Sequence, residues 1–241
     1  MNKIIIAQEE LKRIVSYNKN IVITFLFLLF FTFVPAFMFN KIINELALEL
    51  LIPINQLVNG LYKFYIFTFL FSCAMFIIYT VSMDTFLSNK KEKALDAVLS
   101  TPIFLSDLWI GKSLALFALS YTTCVIAALG FALILYVLFE AWPRDWATWV
   151  YLFSIFPVMN VSLIALGGIG QLVSKRFVGV NMTLFFIGFT VMFICSFLVE
   201  RLLRVNSVLL LAIFAAITML FVLANYVSYK TYFTKEKIIL S

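Results

Sequence analysis

The sequence predicts an all-α membrane protein of six transmembrane helices. Three observations lead there. The 241-residue chain is 64% hydrophobic and only 12% charged, against about 25% charged in an ordinary soluble domain. Its apolar residues gather in runs of about 20, the length that crosses a ~30 Å hydrocarbon core at ~1.5 Å per residue. Its lysines and arginines divide unevenly between the polar segments that separate those runs.

Taken in order, residues 3–19 read as an amphipathic helix lying in the membrane interface. Leu11, Ile14 and Val15 form a stripe at i, i+3 and i+4, interspersed with Glu9, Glu10, Lys12 and Arg13. The segment does not read as a signal peptide. Its charged lead is too long, and the apolar run that follows is long enough to span and lacks a small-residue cleavage site. The predicted spans are 21–39, 61–83, 113–139, 148–173, 181–199 and 207–226. Residues 41–60 form a mixed loop with room for a short helix through Glu45 and Glu49. Residues 84–112 are the longest polar interruption, and 140–147, 174–180 and 200–206 are short connections. Residues 228–241 make a polar tail. Trp142, Trp146 and Trp149 suit an aromatic belt at one interface. Pro35 and Pro157 each remove a backbone donor and are positioned to kink their spans.

An even number of spans puts both termini on one side. That side holds 13 lysines and arginines, and the other holds 5. The positive-inside rule makes the termini and the long loop cytoplasmic. The acidic residues divide 7 to 5, so the whole net charge of +6 falls on the cytoplasmic face. Topology therefore accounts for the basic excess without a nucleic-acid partner.

Few catalytic classes survive. Histidine is absent, which removes Ser–His catalysis and the common metal-ligand spacings. No Asp, Glu, Lys or Arg lies near the centre of a predicted span, where proton-driven carriers keep such groups. Cys73, Cys124 and Cys195 sit in apolar runs and read as small apolar fillers. Gly111-Lys112-Ser113 mimics the end of a phosphate-binding loop, but Ser106 stands where its first glycine is required. The chain thus has no catalytic residues, no metal site and no energy source of its own. Gly167, Gly168 and Gly170 allow close helix packing or a hinge. Asn160 and Ser162 are placed either to line a cavity or to bond across helices. Glu200 and Arg204, at i and i+4, are spaced to pair in the outer loop.

The long loop carries the most specific pattern. Leu95, Val98 and Leu99 share one face of a short helix, which Lys91, Lys93 and Asp96 surround and which must end before Pro102. An apolar stripe on a charged helix at the basic side of a membrane protein is built either as a docking surface or as a solvated loop against the headgroups. The run Leu95-Asp96-Ala97-Val98-Leu99-Ser100-Thr101-Pro102, followed by Ser106-Asp107-Leu108-Trp109-Ile110-Gly111-Lys112, resembles the loop between the second and third spans of ABC-2 type transporter permeases. Leu95, Asp96, Leu99, Thr101, Pro102, Gly111 and Lys112 match that pattern. Lys93 and Ala94 replace the usual Gly-Thr, and Val98 replaces a leucine.

The resemblance implies an ABC-2 (type V exporter-like) fold in the cell membrane, with the loop forming a coupling helix. It implies a separate ATP-binding cassette ATPase subunit, which carries the ATP and Mg, and a second permease copy, identical or related. Lys91, Glu92, Leu95, Asp96, Val98, Leu99, Thr101 and Pro102 would then contact the ATPase, with the leucines and valine as the apolar seat. The chain would bind no cofactor itself and would not be an enzyme by itself. Its cargo stays open among amphipathic peptides, antibiotics, lipids or lipid-linked glycans, and small ions. The competing classes are an ATP-independent channel or scaffold, and a membrane-embedded enzyme. Transport without ATP would mark the former and turnover by a purified single subunit the latter.

Overall fold

Helix is the only regular structure among the described residues. The computed structural model describes residues 3–16, 22, 24–26, 28–37, 53–82, 105–173, 190 and 206–232. Helix α1 is Lys3–Ser16. Helix α2 is the apolar segment Thr24–Phe37. Helix α3 runs as Ile54–Phe64, a π-helical turn Tyr65–Phe69, and Leu70–Ser82. Helix α4 is Leu105–Phe139. Helix α5 runs as Trp146–Val150, a second π-helical turn Tyr151–Ile155, and Phe156–Val173. Helix α6 is Ser207–Tyr232.

Four of these are long and apolar enough to cross a membrane: Ile54–Ile78, Trp109–Phe139, Trp146–Gly168 and Ser207–Lys230. They correspond to the second, third, fourth and sixth predicted spans. The first is represented by α2, which is shorter over its described part. The fifth, 181–199, lies outside the described residues apart from Thr190.

Helix α3 is the centre of the bundle. Every residue in its most apolar stretch is buried by protein, whereas α6 has only 11% of its own stretch covered. Aromatic rings join α3 to its neighbours. Tyr65 stacks on Phe131 of α4 with centroids 4.1 Å apart, Phe67 meets Tyr151 of α5 at 4.5 Å, and Phe67 meets Phe214 of α6 at 5.1 Å. Phe31 of α2 contacts Phe76 at 5.4 Å. Such pairs contribute roughly 0.5–1.5 kcal/mol beyond the area they bury. Between apolar helices in lipid, this packing replaces the hydrophobic driving force.

Three helix starts differ from the sequence expectation. The second span begins at Ile54, not residue 61, because Pro53 opens the helix and its carbonyl accepts the Gln56 and Leu57 amides. Asn55, Gln56, Asn59 and Gly60 lowered the local hydropathy, yet Gly60 is buried by neighbouring helices. Helix also begins at Leu105, eight residues before the predicted third span, so 105–112 is helical instead of loop. The fourth span starts at Trp146 and departs from α geometry directly before Pro157. Proline has no N–H for the carbonyl four residues back, and a π turn re-registers the ladder around that gap. The π turn of α3 has no proline. There the Thr68 hydroxyl donates to the Phe64 carbonyl and Ser72 Oγ to the Thr68 carbonyl, at 3.1 Å for the second, so side chains compete for the backbone acceptors.

The ends of the bundle are fixed by short polar contacts. Asn206 caps α6 by accepting the Val208 amide at 2.9 Å. Glu140 takes a positive φ of 53° and closes α4 through its amide on the Tyr136 carbonyl. Trp142, Trp146 and Trp149 cluster at that end, with Trp142 stacked on Trp149 at 6.4 Å and Trp142 and Trp146 exposed.

Candidate functional site

The eight predicted ATPase-contact residues, Lys91, Glu92, Leu95, Asp96, Val98, Leu99, Thr101 and Pro102, lie outside the described residues. So does the Glu200–Arg204 pair. The point where the long loop re-enters the bundle is described, and it is held in a specific way.

Helix α4 leaves the loop at Leu105, and its first turns pack along α1. The buried face of α1 is Ile6, Glu10 and Ile14, at i, i+4 and i+8, with Leu11 packed partly against the core. Ile4 and Ile5 stay exposed. Ile14 and Leu11 of the expected stripe face the bundle, the Val15 side chain lies outside the described residues, and a carboxylate sits in the middle of the buried face. Its partner is Lys112. Lys112 Nζ lies 3.6 Å from Glu10 Oε1, with side-chain exposures of only 4% and 11%. Arg13 Nη2 reaches the same oxygen at 3.4 Å from a side chain that is 46% exposed. Glu10 thus bridges a buried cation of α4 and a surface cation of its own helix. The Lys12–Glu9 pair, at 2.9 Å, is fully at the surface and holds nothing else in place.

Gly111, Lys112 and Ser113, the mimic of a phosphate-binding loop, are helical and buried, with the lysine engaged by Glu10. Trp109, one turn earlier, meets Tyr229 near the end of α6 at 6.0 Å. Loop exit, α1 and the end of α6 therefore converge. Removing one partner of a buried pair leaves an uncompensated charge and costs about 3–5 kcal/mol, so this joint resists opening. Pattern reading missed it because it scored α1 by its apolar residues alone. The available signal was Glu10, spaced four residues from both Ile6 and Ile14.

A second set of polar contacts crosses the bundle between α4, α5 and α6. Asn160 Nδ2 of α5 donates to Ser120 Oγ of α4 at 3.0 Å, and Asn225 Nδ2 of α6 donates to the Ser162 carbonyl at 2.7 Å. Of the two roles open to Asn160, bonding across helices is the one observed. The other amide oxygens, Asn160 Oδ1 and Asn225 Oδ1, are buried without a hydrogen-bond partner among the described residues. Cys73 and Cys124 are both buried free thiols, and Cys195 lies outside the described residues. The described residues contain no cluster of His, Cys, Asp and Glu able to hold a metal.

No family model, curated protein or solved structure matches this chain.

Proposed function

We propose that this chain is the membrane-spanning subunit of an ATP-driven exporter of the ABC-2 type. In this reading six spans, with both termini cytoplasmic, sit in the cell membrane. A coupling helix within 84–112 docks on a separate ATP-binding cassette ATPase through Leu95, Val98 and Leu99, rimmed by Lys91, Glu92 and Asp96, and ends at Thr101-Pro102. A second permease completes the path, and the ATPase carries the ATP and Mg.

The observation that carries the reading is the anchoring of Lys112. It is the last residue of the loop pattern, and it is buried against Glu10 of α1. A loop that only floats on headgroups needs no such anchor. A loop that receives a push does, because the push must enter the bundle instead of dissipating at a frayed helix end. From Leu105 to Phe139, α4 runs without a π turn for its whole 35 residues, a rod of roughly 50 Å. Displacement at Leu105 would therefore reach the opposite end, carrying α1 with it. The neighbouring α3 and α5 each contain a π turn, where a helix can change register.

The test is purification of the tagged full chain from mild detergent, with mass spectrometry of what stays bound. The expected result is a stoichiometric ATP-binding subunit that is lost in Leu95→Asp/Leu99→Asp. A single species without an ATPase, together with transport that proceeds without ATP, would replace this reading by an ATP-independent channel or scaffold.

A further inference from the structure

Two π turns in different helices touch each other. Tyr65–Phe69 interrupts α3, and Tyr151–Ile155 interrupts α5. Phe67, in the middle of the first, packs on Tyr151, the first residue of the second, with ring centroids 4.5 Å apart. Phe214 of α6 closes the group, at 5.1 Å from Phe67 and 5.2 Å from Tyr151. Phe67 and Tyr151 are both buried. A π turn inside an α-helix is uncommon and frequently marks a functional site. Two that share one buried aromatic cluster are not independent of each other.

Each π turn divides its helix, leaving the outer segments Ile54–Phe64 in α3 and Trp146–Val150 in α5. These segments are joined. The Tyr62 ring lies 5.4 Å from Trp149, and Asn59 Oδ1 accepts the Arg144 amide at 2.8 Å, two residues ahead of Trp146. At this end of the bundle, opposite Lys112, a cavity of about 370 Å³ opens. Gln56 and Asn59 line it from α3, Arg144 and Asp145 from the connection before α5, and Ser207 from the first turn of α6. The two joined segments therefore meet α6 across the cavity.

Returning a π turn to α geometry moves the hydrogen-bond ladder by one residue. The outer segment then turns by about 100° and shifts by ~1.5 Å against the rest of its helix. Made in one helix alone, that change swings Phe67 or Tyr151 out of the shared cluster and parts Tyr62 from Trp149. A close-packed interior has no other atoms ready to fill such gaps. The arrangements that avoid them keep both π turns or release both.

We propose that the two π turns work as one hinge, through which the outer segments of α3 and α5 move together and change the width of the cavity beside α6. The hinge follows from the packing of the helices and does not depend on the exporter reading. Its two halves have separate origins. In α3 the Thr68 and Ser72 hydroxyls compete for backbone acceptors, and in α5 Pro157 lacks an N–H. Each half can therefore be altered by itself.

The experiment is hydrogen exchange read by mass spectrometry on the detergent-purified full chain, comparing wild type, Thr68→Val and Pro157→Ala. In the wild type, peptides covering 54–64 and 146–155 are expected to share one protection factor to within about three-fold, because segments that open together lose protection together. A larger gap overturns the hinge without reference to any variant. Pro157→Ala, a change in α5, is expected to slow exchange in 54–64 by about five-fold or more, and Thr68→Val is expected to slow 146–155 by a similar factor, as reciprocal coupling requires. Adding Phe67→Leu to Pro157→Ala should abolish the effect on 54–64. A response confined to the helix that carries the substitution overturns the proposal, and an effect that survives Phe67→Leu removes the aromatic cluster as the link. The cavity is read by a Ser207→Cys reporter labelled with a membrane-impermeant maleimide, against the same chain without the reporter. Thr68→Val and Pro157→Ala should change its labelling rate in the same direction, and opposite changes or none would contradict the shared movement.

Discussion

Lys112 and Lys63 enter the bundle from opposite ends, and the protein treats them differently. Lys112 is enclosed against α1 with a carboxylate in reach, and that carboxylate is itself buried. Lys63 is almost as deeply covered, yet it lines an open cavity together with Gln56, Asn59, Arg144, Asp145 and Ser207. One charge is closed off and fastens two helices. The other faces an open cavity that it shares with Asp145. Burial alone therefore does not say what a charge is for. The room left beside the charge separates a closed joint from an open one.

The largest expected effect breaks the closed end. Glu10→Gln leaves Lys112 buried without its carboxylate and should cost about 3–5 kcal/mol, read by thermal unfolding in detergent. Glu10→Gln/Lys112→Met should recover most of that loss, because a paired removal leaves no stranded charge. If the double variant were as unstable as the single one, packing and not charge would be what Glu10 supplies.

The same measurement on Lys63→Met sharpens the contrast. Its cost should be smaller than that of Glu10→Gln, because Asp145 keeps Thr148 and open water as partners. A loss as large as that of Glu10→Gln would make the far end a second joint. In the middle of the bundle, Asn160→Leu removes the bond to Ser120 but also an amide oxygen that has no described partner. Its cost should stay within about 0.6–1.7 kcal/mol, the range for interhelical hydrogen bonds in membranes. Arg13→Gln should be smallest, below about 1 kcal/mol, because the Arg13 side chain is half in solvent.

The helices were legible where lipid-scale hydropathy governs them. The sixth span begins at Ser207 in both the reading and the structure, and the fourth differs at its start by two residues. The start of α3 was not legible, because its first turn is exposed and polar at Asn55 and Gln56, and the next turn is buried by other helices in spite of Asn59 and Gly60. A hydropathy window treats such residues as solvent-facing. The joint was hidden for a related reason. Glu10 and Lys112 are about 100 residues apart, and neither one's surroundings in sequence announces the other. Asn160 was singled out as polar at depth, but only the fold supplies Ser120 as its partner. The coupling-loop residues lie outside the described residues, and their sequence pattern alone speaks for their role.

The account turns on α1, the loop exit and the start of α4 behaving as one unit. Hydrogen exchange read by mass spectrometry on the detergent-purified full chain tests this directly, comparing wild type with Glu10→Gln. Segments that open together lose protection together. The account predicts that peptides covering 3–16 and 105–112 gain exchange in parallel, while those covering α3 stay protected. Faster exchange in 3–16 alone, with 105–112 unchanged, would contradict it and reduce α1 to a helix that merely leans on the bundle.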